Sequence, residues 1–114
     1  MNPLLLVGFG GTAGALGRHL VGARLERNRA DTLLVNVCGS VLLGALVAAP
    51  VSESVLLAIG TGFCGAFTTF SSFAFETVRL AELGHEREAA LYAGGTLAAA
   101  LAGVAVGGFV GAAL

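Results

Sequence analysis

Four apolar segments, each long enough to cross a lipid bilayer, take up nearly the whole of this 114-residue chain. They run over about 3–21, 32–49, 54–83 and 88–114. A spanning helix needs about 20 mostly apolar residues, because each residue rises about 1.5 Å through a hydrocarbon core about 30 Å thick. Charged residues make up 11% of the chain, whereas soluble domains carry about 25%. A soluble domain this short would leave much of its apolar surface in water. Strands of a membrane barrel alternate apolar and polar residues, and these segments are apolar all round. The expected fold is an all-α integral membrane protein, a single four-helix domain over residues 1–114. The first segment lacks a basic leader and a convincing cleavage site, so it is expected to be retained as a span.

The charges define an orientation. All but Glu53 lie in or beside two connections. The first holds Arg24, Glu26, Arg27, Arg29 and Asp31, with Arg18 at the end of segment one. The second holds Arg79, Glu82, His85, Glu86, Arg87 and Glu88, with Glu76 just before it. Four spans put these connections on one side, and the chain has no lysine to offset its arginines. The positive-inside rule counts Lys and Arg rather than net charge, so both connections are expected in the cytoplasm and both termini outside.

A net charge of −1 offers no broad basic surface for nucleic acid. Cys38 and Cys64 sit in apolar segments away from any His or Cys cluster, which suits buried thiols better than metal ligands. Gly10–Gly14 and Gly103–Gly107 have the spacing that lets helices approach closely in lipid. That spacing fits packing within the bundle as well as a dimer face.

Polar residues inside spans are costly and mark candidate sites. Here they are Thr12, Asn36, Ser40, Thr61, the hydroxyls of segment three, Tyr92 and Thr96. The densest run is Gly62-Phe63-Cys64-Gly65-Ala66-Phe67-Thr68-Thr69-Phe70-Ser71-Ser72-Phe73. Gly65 weakens a helix, and the paired hydroxyls of Thr68 and Thr69 can satisfy freed backbone groups. Segment three is therefore expected to break near its middle, where irregular backbone is tolerated only if protein or a cavity meets it. A broken helix offers carbonyls to a cation and N–H groups to an anion. The plain alternative is an unbroken helix with hydroxyls bonded back to their own turns. Phe70 and Phe73 share one helix face, and their electropositive ring edges suit an anion. Packing between helices would use the same residues.

These stretches resemble the fluoride channel family called Fluc or CrcB, along the whole chain and in order. The matching runs are Gly10-Gly11-Thr12-Ala13-Gly14-Ala15-Leu16-Gly17-Arg18, then Thr32-Leu33-Leu34-Val35-Asn36-Val37-Cys38-Gly39-Ser40, then Gly62 through Phe73, and Tyr92 on the fourth helix. Two positions depart from the family. Ser72 stands where many members have Thr, which keeps the hydroxyl. His19 stands where an aromatic such as Tyr often follows the arginine.

The resemblance implies a passive channel that exports cytoplasmic fluoride and lowers its toxicity. It implies that Asn36 donates its side-chain amide to the ion, and that Phe70 and Phe73 offer ring edges. Thr69, Ser71 and Ser72 would supply hydroxyl donors, and Tyr92 would face the same track. Arg18 would mark the vestibule. The backbone carbonyls of Gly65 and Thr68 from two subunits would hold a structural sodium ion at the centre of an antiparallel dimer. Because the arginine asymmetry is complete, each chain is expected to insert one way only. The opposed partner would then be a second, related subunit.

Three other classes fit less well. A small four-helix proton-coupled multidrug exporter needs a carboxylate in its first helix, and segment one has none. An assembly subunit has no use for the hydroxyl-rich run. An enzyme would need a nucleophile–base pair or a metal cluster, and neither pattern occurs. Nor does a phosphate-binding loop with its lysine.

Overall fold

The computed structural model describes residues 2–25 and 29–114. Glu26 and Arg27, expected in the first charged connection, lie outside the described residues. Among the described residues, four helices are long and apolar enough to cross a membrane: α1 Pro3–Arg24, α2 Arg29–Ala48, α3 Glu53–Glu82 and α4 Glu86–Ala112. The molecule is 49 Å long and 28 by 21 Å across. Each helix begins or ends a few residues away from its apolar segment. Hydropathy marks the edge of the hydrocarbon, whereas backbone hydrogen bonding carries the helix on into the polar margin.

The ends follow from local chemistry. Asn2 caps α1 by accepting the Leu4 N–H at 2.8 Å, and Pro3 takes the first turn, where no N–H is needed. Ser52 caps α3, accepting from the Val55 N–H at 3.2 Å. At the far end of α3, His85 N–H donates to the Leu80 carbonyl at 2.9 Å and Gly84 N–H to Ala81 at 3.1 Å. This pattern needs a left-handed residue, and Gly84 has φ +85°. Gly84→Ala is expected to cost about 1–2 kcal/mol, the strain of a side chain in that conformation. A denaturant titration in detergent micelles measures it.

Two helix pairs make up the bundle. α1 lies against the first half of α3, and α2 runs along α4. Both pairs bring backbone against backbone at glycines. A Cβ at Gly14 would run into the Phe63 carbonyl, and one at Gly10 into that of Ala58. On the other pair, Gly107 and Gly111 of α4 face the carbonyls of Val41 and Ala45, and Gly44 of α2 faces that of Val104. Lipid provides no hydrophobic drive between helices, so this close packing holds them together. The Gly10–Gly14 and Gly103–Gly107 spacings are thus spent on contacts inside the chain.

Large apolar side chains cover the outside: Leu4, Phe9 and Phe109 are 82%, 66% and 84% exposed. An ion pair, Arg29–Glu88 at 3.7 Å, joins the starts of α2 and α4. Both partners are half exposed or more, so it adds little stability.

α3 is not one continuous helix. Its first half begins as α-helix, widens into π turns over Leu56–Cys64, and closes with Gly65–Phe67. Thr68 and Thr69 are extended, and a second α-helix runs from Phe70 to Glu82. The break thus falls near the middle of α3, as the hydroxyl pair predicts. Gly65 itself is helical, with φ −60° and ψ −37°. Weak helix propensity at that glycine is therefore not what interrupts the helix.

Candidate functional site

The break is held by a residue on another helix. Asn36 of α2 is 33 positions away in sequence. Its Oδ1 accepts the Thr69 N–H at 2.8 Å, and its Nδ2 donates to the Thr69 carbonyl at 3.0 Å. The amide therefore pairs with Thr69 as a neighbouring strand would. These two bonds also fix which way the amide faces, since only oxygen can accept and only nitrogen can donate. One Nδ2–H remains for another acceptor. Thr69 is 8% exposed, so its peptide groups are shielded from water and need these partners.

Around this clamp the hydroxyls divide into two kinds. Those of Thr12, Ser40 and Thr77 donate to carbonyls four residues earlier on their own helices. So does that of Thr68, to Cys64 at 2.9 Å. For these four the plain reading holds. The Thr69 hydroxyl instead caps the second half of α3, accepting from the Ser72 N–H at 3.2 Å, and lies 3.3 Å from the Ser71 hydroxyl. Room for the Thr68 methyl comes from Gly39, where a Cβ would collide with it.

Two cavities meet at Thr69. One, of about 970 Å³, is lined by Asn36, Gly65, Thr68, Thr69, Phe70 and Phe73 among mostly apolar neighbours. The other, of about 890 Å³, is lined by Thr69, Ser71, Ser72 and Glu76 and by the arginines Arg18, Arg29 and Arg79. One is mostly apolar and the other charged, and both reach the clamped residue. The arginines gather at one end of the molecule because both charged connections lie there.

The Phe70 and Phe73 rings are 6.0 Å apart, tilted by 52°. The Tyr92 ring lies 5.6 Å from Phe73. Tyr92 lines neither cavity and donates its hydroxyl to Glu76 Oε1 at 2.9 Å. The sequence-predicted residues thus fall in three places. Asn36, Gly65, Thr68, Phe70 and Phe73 share the apolar cavity, and Arg18, Ser71 and Ser72 the charged one. Thr69 belongs to both, with Tyr92 behind Phe73. Sequence reasoning did not foresee the tie from Tyr92 to Glu76, nor that Ser40, Thr61 and Thr96 line the apolar cavity. Their polarity inside spans was the available signal, but it carries no direction.

The carbonyls before the break suit a cation. In a continuous helix the Gly65 carbonyl would accept the Thr69 N–H and the Thr68 carbonyl the Ser72 N–H. Those donors go to Asn36 and to the Thr69 hydroxyl instead. Beyond its own turn of helix, nothing lies within 4 Å of a Cβ placed on Gly65, so that face of the residue is uncrowded. Released carbonyls at the end of a half-helix are the kind of ligand that holds sodium.

The family model described as CrcB-like protein, Camphor Resistance (CrcB), matches residues 5–112. The chain belongs to the CrcB family. Among curated CrcB relatives, the fluoride-specific ion channel FluC 2 of Natronomonas pharaonis is 56% identical, over 96% of this chain and 95% of that one. The protein of the same name from Haloarcula marismortui is 50% identical, over 87% and 85%. That from Rhodococcus jostii is 40% identical, over 91% and 94%. The family match over residues 5–112 takes in all four spans and the break.

Proposed function

We propose that this chain is a passive fluoride channel, exporting cytoplasmic fluoride and lowering its toxicity. The observation that carries this reading is the clamped break. It brings one amide N–H, two phenylalanine rings and a set of hydroxyls to the junction of two cavities. The names of the CrcB relatives support the ion's identity. Fluoride is small and holds its water tightly, so a pore must replace that water with close donors. Asn36 supplies the amide, Thr69, Ser71 and Ser72 the hydroxyls, and Phe70 and Phe73 the electropositive ring edges. Tyr92 steadies the Phe73 ring and the Glu76 carboxylate beside the path. Arg18 attracts the anion into the charged vestibule. None of these donors except Arg18 is a fixed cation, so the ion is bound without being trapped, which conduction requires.

Neutral hydrogen fluoride crosses membranes and ionises in a near-neutral cytoplasm. A passive path therefore suffices, with no reaction to catalyse. Residues 1–114 work as one channel domain, with the arginine-bearing connections in the cytoplasm and both termini outside. The wide groove along the break is completed by an antiparallel partner, and the carbonyls of Gly65 and Thr68 from both subunits hold a structural sodium ion. Complete arginine asymmetry gives each chain a single orientation, so the opposed partner is a related second subunit.

Fluoride efflux from liposomes tests the reading, using this chain alone and together with a co-expressed paralogue. Fluoride-selective flux is expected, and it is expected to need the pair. Absence of flux from both preparations sinks the channel. Native pull-down returning only self-dimers with opposed termini would remove the paired-subunit part and leave the channel standing.

A further inference from the structure

The geometry points to Asn36 as a positioning residue for the cation as well as a donor to the anion; this rests on the reading above. The peptide joining Thr68 to Thr69 is planar and trans, so its C=O points opposite to its N–H. Asn36 Oδ1 holds that N–H at 2.8 Å. It therefore turns the Thr68 carbonyl away from α2. The same bond removes the one N–H that would occupy the Gly65 carbonyl in a continuous helix. A single acceptor oxygen thus aims one sodium ligand and releases the other.

The remaining amide group links this to the anion. Nδ2 spends one hydrogen on the Thr69 carbonyl and keeps one for the cavity that Phe70 and Phe73 also line. Hydrogen bonds in series polarise one another. A cation on the Thr68 carbonyl makes the Thr69 N–H a better donor to Oδ1. The amide in turn becomes a better donor to an anion. Cation and anion sites are thereby coupled through one side chain.

Two substitutions separate the roles. Asn36→Ala removes both clamp bonds and the outward N–H. In Asn36→Asp an oxygen still accepts the Thr69 N–H, a protonated carboxyl also donates to the Thr69 carbonyl, and the outward N–H is gone. Thermal stability of the purified complex is titrated with sodium against N-methylglucamine, and fluoride efflux is measured alongside. For Asn36→Ala the sodium midpoint is expected to rise at least about tenfold, equivalent to about 1.4 kcal/mol of binding. Asn36→Asp is expected to keep the wild-type midpoint or a tighter one while its fluoride flux falls with that of Asn36→Ala. A wild-type midpoint in Asn36→Ala overturns the inference, as does a weakening in Asn36→Asp as large as in Asn36→Ala. If Asn36→Ala does not fold, a rise of about tenfold or more in the Asn36→Asp midpoint overturns the inference by itself. A wild-type complex that conducts fluoride but ignores sodium sinks this inference and leaves the channel reading intact. Loss of wild-type flux sinks the channel itself.

Discussion

Fluoride efflux through Phe70→Ile is expected to fall about tenfold or more while the protein stays folded. Isoleucine keeps the bulk and the apolarity but has no ring edge. A tenfold change in rate needs only about 1.4 kcal/mol of lost stabilisation along the path, and the electropositive edge is what the ion loses. The substitution is clean because the Phe70 ring is 78% exposed within the chain and packs only loosely on Phe73 at 6.0 Å. Its effect on unfolding is therefore expected within about 0.5 kcal/mol, as for ordinary surface changes. Phe73 is a poorer site for this test, since its ring also supports Tyr92. Efflux from proteoliposomes and a denaturant titration measure the two quantities separately. Wild-type flux through Phe70→Ile would detach the ring edges from conduction.

Gly107→Leu should prevent α2 and α4 from assembling. The Val41 carbonyl lies where the new Cβ must go, and the backbone there cannot swing aside as a long side chain can. The two helices would have to separate, giving up the neighbouring contacts of Gly44, Gly103 and Gly111. Overpacking commonly costs about 1–3 kcal/mol, and a clash with backbone along a whole helix pair is expected at or above the upper end. The adjacent residue is the control. A Cβ on Gly108 meets nothing within 4 Å, so Gly108→Leu should be neutral or gain about 1 kcal/mol of helix stability. Size-exclusion profiles and unfolding midpoints of the two variants test this. Equal behaviour would mean that α2 and α4 do not meet as described.

What could be read from the chain alone follows from the bilayer as solvent. Backbone polar groups must pair within each span, so long apolar runs have to be helices and their number is legible directly. The arginines show by the same logic which connections share a side. The residues of the break were legible too, because hydroxyls and aromatics crowded at mid-span are unusual for plain lipid packing. Which residue makes the break was decided only by the tertiary structure. Gly65 is the weak helix former, yet it stays helical, and the chain turns at Thr68 and Thr69. The reason lies on another helix: Asn36 captures the Thr69 N–H, and Gly39 makes room for Thr68. Glycine spacing likewise shows that helices can approach but not which ones, and it took packing to commit Gly107 to Val41 and Gly14 to Phe63. Hydropathy is a property of each residue in its solvent and survives in a one-dimensional string. Hydrogen bonds across 33 positions depend on where two helices come to rest, and that exists only once the bundle has formed.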